Sequence, residues 1–120
     1  MDIVEEKRGD VAILQLDGGL GYDNHREFAD AVNRIIEQGA KHIVFDLERL
    51  VYLSSWGIGT LLSASAKVRK NNGNVILANV HREIVHILKV MRLVKIFDIQ
   101  DSVDKAVAEI QERKGTDSSP

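Results

Sequence analysis

Two adjacent serines, Ser54 and Ser55, are the side chains of this sequence best placed for chemistry at a hydroxyl group. Trp56 follows them, and then come Gly57 and Gly59, where a helical pattern begins. Serine often caps a helix start, because its hydroxyl accepts a hydrogen bond from an unpaired backbone N–H. Glycine allows a tight turn and the close approach of another group. We therefore expect two hydroxyls and a large aromatic ring at a strand–loop–helix corner, and a functional site there.

The same residues do not match the common catalytic or cofactor motifs. The serines lack the Gly-x-Ser-x-Gly pattern of a hydrolase nucleophile. The glycine pair lacks both the third glycine of a dinucleotide fingerprint and the lysine of a phosphate-binding loop. His81 and His86 are five residues apart, so they point to different faces of a helix, and the chain has no cysteine. We expect no catalytic residue, no metal and no cofactor.

Each prominent residue of the corner also has a purely structural interpretation. The serines can serve as helix caps and nothing more. Trp56 can anchor a partner, as exposed aromatic residues often do, or it can pack over the neighbouring loop near Leu20 or Tyr22. The sequence leaves both alternatives open.

Length and charge restrict the setting of this corner. The chain has 120 residues, the usual size of one domain, with 16 basic and 18 acidic residues. A net charge of −2 does not predict binding to nucleic acid or to an anionic membrane through bulk charge. No apolar run approaches the ~20 residues of a membrane-spanning helix, and the absence of cysteine fits a reducing compartment. We expect a cytoplasmic protein without membrane insertion.

Hydrophobic periodicity predicts the elements that hold the corner in place. Strands are expected at 3–7, 11–16, 42–47, 74–78 and 96–99, and helical stripes at 28–36, 58–68, 84–91 and 103–110. The order is β-β-α-β-α-β-α-β-α, with a strand break at 17–19 and a polar loop after residue 47. This alternation predicts an α/β fold with a mixed, mostly parallel sheet of four to five strands and flanking helices.

The predicted domain covers residues 1–114, and residues 115–120 have no apolar side chain, so they are expected to form a flexible tail. In a parallel sheet, binding sites gather at the carboxyl ends of the strands. The serine corner follows the end of one strand, and residues 18–24 follow the end of another. The two segments are therefore candidates for one site.

Several motifs together resemble a known family. They are Val-Phe-Asp-Leu at 44–47, Ser-Ser-Trp-Gly-Ile-Gly at 54–59, Asn-Gly-Asn-Val at 72–75, an early Gly-x-Leu at 18–20, and leucines at 88 and 93. Over about residues 9 to 110 the chain is similar to the STAS domain and, more narrowly, to single-domain bacterial anti-sigma factor antagonists. The resemblance implies a STAS-like fold and a protein-binding function.

The resemblance also implies particular site residues. In that family a serine after an aspartate is phosphorylated by a kinase that is itself the anti-sigma factor. The matching position is Ser55, with Ser54 as the alternative; Ser54 stands at the aspartate position and Trp56 at a small-residue position. A second family aspartate falls on Gly21. The implied partner-binding surface consists of Ser54, Ser55, Trp56, Gly57, Gly21, Tyr22 and Asp23.

The implied partner is an anti-sigma factor that is also a serine kinase of the histidine-kinase-like ATPase type, with a serine phosphatase as a second partner and no role for nucleic acid. A phosphate on Ser55 would be tolerated within the domain, because a helix N-terminus favours an anion. The same charge buried in an interface would weaken binding. The alternative is a STAS subunit of a lipid-transport ATPase or sensory complex that binds its partner constitutively, without phosphorylation.

Overall fold

The structure, a computed structural model, describes residues 1–117. Over this part of the chain, six strands and four helices alternate. The strands are β1 (Asp2–Arg8), β2 (Val11–Leu20), β3 (His42–Asp46), β4 (Leu50–Leu53), β5 (Val75–Ala78) and β6 (Asp98–Gln100). The helices are α1 (His25–Glu37), α2 (Ser55–Lys70), α3 (Arg82–Val90) and α4 (Val103–Asp117).

The strands form one sheet in the order β1-β2-β3-β5-β6, and β4 pairs with β2 beside this path. β1 is antiparallel to β2, and the other pairs are parallel. The predicted fold class, a mixed and mostly parallel sheet with flanking helices, is confirmed. The sheet has one strand more than the upper end of the predicted range.

Two hydrophobic cores lie on opposite faces of the sheet. Helices α1, α2 and α3 cover one face, where Phe28, Phe45 and Leu61 are fully buried. Helix α4 covers the other face and buries Ala106 and Ile110 against alternate strand residues. The central strands are covered on both faces, which explains their nearly continuous apolar sequence.

The extra strand β4 lies where the sequence predicted a polar loop. It pairs in parallel with the end of β2, with Gly18 opposite Leu50 and Leu20 opposite Leu53. The predicted strand break at 17–19 is therefore wrong, because β2 continues to Leu20. The register shifts between Gly18 and Gly19, and Gly18 has a φ of +118°. The glycines thus form a bulge inside the strand rather than its end.

Local residues mark the ends of two helices. Helix α1 is followed by Gly39 with a φ of +101°, the left-handed conformation that commonly ends a helix. At the start of α4, the Ser102 hydroxyl accepts a hydrogen bond from the backbone N–H of Lys105. Helix α4 runs to Asp117, three residues beyond the predicted boundary at residue 114. Residues 118–120 of the predicted tail lie outside the described residues.

Within residues 1–117, no helix combines the length and the apolar character that crossing a bilayer requires.

Candidate functional site

The two segments predicted to form the site meet at one edge of the sheet. β2 ends at Leu20 and β4 ends at Leu53, and the two strands run parallel to each other. The turn after β2 leads through residues 21–24 into α1, and β4 leads through Ser54 directly into α2. The backbone N–H of Ser54 donates to the carbonyl of Leu20 at 3.0 Å, which joins the two turns.

Ser54 has the structural role predicted for a serine at this position. Its backbone is extended, and it is the N-cap of α2. Its hydroxyl accepts a hydrogen bond from the N–H of Gly57 and donates one to the carbonyl of Leu20, each at 3.3 Å. The hydroxyl of Ser54 is therefore engaged in holding the start of α2 against the end of β2.

Ser55 differs from its neighbour in both exposure and hydrogen bonding. It is the first residue of α2 and is exposed. Within the described part of the chain its hydroxyl forms no hydrogen bond. The first backbone N–H groups of a helix lack intrahelical partners and give this end a partial positive charge. Ser55 thus presents an accessible hydroxyl at a position that favours a negative group.

Trp56 and Tyr22 form an exposed aromatic surface next to Ser55. Their rings meet edge to face with centroids 5.2 Å apart. Trp56 is 52% exposed and Tyr22 is 68% exposed. The predicted packing of Trp56 against Tyr22 is therefore present, and half of the indole still faces solvent.

His25 belongs to this aromatic cluster, and the sequence analysis missed it. Its imidazole stacks on Trp56 at 5.1 Å and lies 6.1 Å from the ring of Tyr22. His25 is the first residue of α1, three positions after Tyr22. That spacing, at the start of a helix after a strand end, was the available signal.

A groove continues from the aromatic cluster along α1 and α2. Its volume is about 450 Å³. Ser55 and Trp56 line one part of it, and Thr60, Ser63 and Lys67 line the rest. The groove mixes apolar and hydroxyl groups, so it suits a protein surface with both kinds of side chain.

Gly57 and Gly21, both predicted to contact a partner, are buried in the structure. A Cβ on Gly57 would lie 2.6 Å from the carbonyl oxygen of Leu20 and 2.8 Å from Leu53. Glycine at this position lets α2 begin directly against the end of β2. These two glycines position the exposed residues, and their direct contact with a partner stays a prediction.

Tyr52 is a second residue of the corner that the sequence analysis missed. Its ring covers Gly19, where any Cβ would overlap it, and its hydroxyl lies 3.2 Å from the position of a Cβ on Gly21. The hydroxyl oxygen of Ser54 lies closer still, at 3.0 Å, so Ser54 and Tyr52 together restrict the space for a side chain at residue 21. The β-prone Val51-Tyr52 pair was the signal for β4 and for this contact.

The turn before α1 is held by Asn24. Its side-chain oxygen accepts from the N–H of Gly21 at 2.9 Å, and its amide donates to the carbonyl of Gly19 at 2.6 Å. The side chain therefore fixes the turn, and although Asn24 is the N-cap residue of α1, its side chain makes no capping hydrogen bond to that helix. Asp23, the remaining predicted contact residue, is exposed beside this turn.

Among the side chains of residues 1–113, which the structure describes, no three His, Cys, Asp or Glu lie together as a metal site would need. The chemistry that this corner presents is an exposed hydroxyl, three aromatic rings and free helix N–H groups.

Comparison with family models identifies a known domain in this sequence. The family model of the STAS domain matches residues 2–106. The chain belongs to the STAS family. The resemblance inferred from the sequence motifs is therefore confirmed.

Among relatives, this STAS domain is 26% identical to the anti-sigma F factor antagonist of Paenibacillus polymyxa over 109 residues. That match covers 90% of this chain and 92% of the relative. A crystal structure of a candidate anti-sigma factor antagonist from Thermotoga maritima superposes with a TM-score of 0.86 at 20% identity. It covers 91% of this chain and 94% of that one.

The STAS domain also superposes on the Bacillus anti-sigma factor antagonist SpoIIAA, whose structure is known in two forms. The unphosphorylated form gives a TM-score of 0.71 at 19% identity and covers 90% of this chain and 96% of that one. The phosphorylated form gives a TM-score of 0.71 at 20% identity, and the match covers 91% of this chain and 99% of that one. These structural matches establish the shared fold.

Proposed function

We propose that this STAS domain is an anti-sigma factor antagonist, a binding module that sequesters an anti-sigma factor and thereby frees a sigma factor. One observation carries the proposal: the exposed hydroxyl of Ser55 adjoins the exposed rings of Trp56 and Tyr22 at a helix N-terminus. Relatives over nearly the whole chain are named as antagonists of this kind. The proposed partner acts on transcription, so we place the protein in the cytoplasm.

The aromatic surface supports the binding part of the proposal. Large aromatic side chains supply much of the binding free energy at protein interfaces. Trp56 and Tyr22 are both more than half exposed. The sheet edge beneath them is fixed by the hydrogen bonds of Ser54 and Asn24. A partner would therefore meet a surface that is ordered before binding, which reduces the entropy cost of association.

Ser55 is the proposed site of control by phosphorylation. Ser54 is the weaker candidate, because its hydroxyl already bonds Leu20 and Gly57. A phosphate on Ser55 would add a charge of about −1.5 to −2 to the middle of the proposed contact surface. The helix N-terminus would stabilise that charge within the free domain. Phosphorylation would then lower affinity for the partner without unfolding the domain.

The proposed kinase is the anti-sigma factor itself, an ATPase of the histidine-kinase-like type, with a serine phosphatase reversing its action. This corner has Gly21 and Ser54 where the family pattern has aspartates. The side chains of Ser54 and Tyr52 both border the space beside Gly21. We infer that recognition here depends on aromatic contacts more than on carboxylates.

The decisive experiment uses the purified chain and the candidate kinase encoded in the same genome. Binding is measured by calorimetry, and phosphate transfer from ATP is followed by mass spectrometry with fragmentation across residues 50–70. We expect binding of the unmodified chain and one added phosphate on Ser55. The Ser55→Ala variant should bind without accepting phosphate, and the Ser54→Ala variant should still accept it.

The alternative function is constitutive binding within a lipid-transport ATPase or a sensory complex. The absence of both family aspartates is the observation that favours it. Under this alternative, Ser55 stays unmodified in cells during growth and stress while the chain remains bound to a transporter or sensor subunit. That combination of results would overturn control by phosphorylation.

A further inference from the structure

A second surface, away from the serine corner, combines positive charge with exposed apolar side chains. It lies along α3 and the turn that follows, and we call it the α3 face. Its basic residues are Arg82, His86, Lys89, Arg92 and Lys95, and its apolar residues are Ile87, Val90, Met91 and Ile96.

Charge is strongly segregated on this face. Residues 82–96 contain four lysine or arginine side chains and a single acidic one, Glu83, in a chain whose net charge is −2. Among the described residues, none of these four cations takes part in an ion pair. Lys7, Lys41 and Lys70 also lack an ion pair among the described residues, but they lie at separate places, on β1, before β3 and at the end of α2. The cations of the α3 face are therefore available to an external anion.

The apolar side chains of this face are not needed to attach α3 to the core. Ile84 and Leu88 do that, at 5% and 0% exposure. Val90, the last residue of α3, is 69% exposed, and Met91, which follows it, is 46% exposed. Both stand between Lys89 and Arg92 in the sequence. Such a face can place apolar groups between lipid headgroups while the lysine and arginine stems extend towards phosphates.

We propose that the α3 face binds the surface of an anionic phospholipid bilayer, as a peripheral contact without insertion of a helix across it. Clusters of four or more Lys and Arg beside exposed apolar residues are attracted to anionic headgroups. The acidic remainder of the chain would be repelled and would keep the α3 face turned towards the lipid.

The neighbouring groove argues against an acidic peptide as the occupant. This groove, of about 610 Å³, runs between β4 and α3. Glu48 and Glu83 line it together with Arg49, and none of the four free cations of the α3 face does. An acidic peptide in the groove would meet two carboxylates. Arg82 and Lys89 are seven residues apart on α3 and therefore share one face of the helix, and Arg92 and Lys95 are exposed in the turn that follows. A flat anionic surface is suited to cations that lie outside a groove.

The test is vesicle co-sedimentation of the full chain. The probes are vesicles of phosphatidylcholine with phosphatidylglycerol, vesicles of phosphatidylcholine alone, and soluble polyglutamate. We expect binding only to the anionic vesicles, with affinity that falls as salt is raised. The triple variant Lys89→Gln, Arg92→Gln, Lys95→Gln should bind about a hundredfold more weakly, since each cation near the surface contributes about fivefold.

A matched control removes three exposed cations from other places: Lys7→Gln, Lys41→Gln and Lys70→Gln. It has the same net charge as the test variant and should keep most of the binding. Val90→Ser should weaken binding, whereas Val4→Ser on β1 should not. Equal losses in the two triple variants, or binding to polyglutamate but not to vesicles, would overturn the proposal. Ser55→Glu should bind vesicles normally, so this test is independent of the proposed antagonist function.

Discussion

The imidazole of His25 stacks on the indole of Trp56, with ring centroids 5.1 Å apart and ring planes 24° apart. His25 begins α1 and Trp56 lies in the first turn of α2. The contact therefore joins the starts of two helices that follow neighbouring parallel strands. Tyr22 meets the same indole edge-on. The three rings form one surface that the sheet edge supports from below.

The first prediction concerns Trp56 as a binding anchor. The Trp56→Ala variant should bind the anti-sigma factor at least about 30-fold more weakly, because a central aromatic anchor contributes about 2 kcal/mol. The loss of ring packing should lower the free energy of unfolding by no more than about 1 kcal/mol. Calorimetric titration and thermal denaturation measure the two effects. Val4→Ala, on the exposed edge strand β1, is the control and should change neither. A large loss of stability with unchanged affinity would show that Trp56 is a structural residue.

The second prediction separates the two serines by stability. Ser54→Ala removes the N-cap of α2 and should cost about 1 kcal/mol of unfolding free energy. Ser55→Ala removes an exposed hydroxyl that has no hydrogen-bond partner among the described residues. It should change the free energy of unfolding by less than about 0.5 kcal/mol. Urea denaturation of both variants gives the comparison. Equal losses would mean that the cap is not specific to Ser54.

The third prediction compares two glycines of the same helix. Gly57→Ala places a Cβ 2.6 Å from the carbonyl oxygen of Leu20 and should destabilise the domain by about 1–3 kcal/mol. A Cβ added at Gly59 would meet no atom within 4 Å outside the backbone of its own helix. Gly59→Ala should therefore stabilise the domain by up to about 1 kcal/mol through helix propensity. Unfolding midpoints that shift in the same direction would contradict this pair.

The fourth prediction concerns the contact between Tyr52 and Gly19. The Gly19→Ala variant should be destabilised, because the new Cβ overlaps the ring of Tyr52. In the Tyr52→Ala background, the same change should cost much less. A double-mutant cycle by urea denaturation should therefore give a coupling free energy of about 1 kcal/mol or more. Additive effects would show that the ring leaves this position without cost.

The fifth prediction uses a buried hydroxyl. Ser65 is 2% exposed, and its hydroxyl has no hydrogen-bond partner among the described residues. Ser65→Ala should raise the free energy of unfolding by about 1 kcal/mol, because the unsatisfied group is removed. Ser63→Ala, at an exposed position of the same helix, corrects for the difference in helix propensity. If Ser65→Ala raised the free energy of unfolding by less than Ser63→Ala, the Ser65 hydroxyl would not be an unsatisfied buried group.

The helices and the central strands were predictable because their buried residues repeat with a clear period. Phe28, Val32 and Ile35 on α1 are all buried, as their spacing predicted. The capping role of Ser54 was also predictable, since a short polar side chain before an apolar helix has few other roles. These features depend on residues close together in the sequence.

The features that were missed depend on residues far apart in the sequence. β4 has only four residues, and its pairing partner is more than 30 positions earlier. The glycines of β2 predicted a strand end, whereas Tyr52 covers Gly19 and allows the strand to continue through a bulge. The stacking of His25 on Trp56 likewise requires that the ends of two strands be brought together. Local pattern cannot reveal which distant side chain fills the space over a glycine.

Trp56 is the only tryptophan in the sequence. Because its indole stacks on His25 and remains half exposed, its emission spectrum reports on this one corner of the molecule. A partner that covers the ring would shift the emission towards the blue. A phosphate on Ser55 would change the polarity around the indole and therefore also change the emission. The protein therefore contains its own optical probe, and association and modification can be followed in solution without a label.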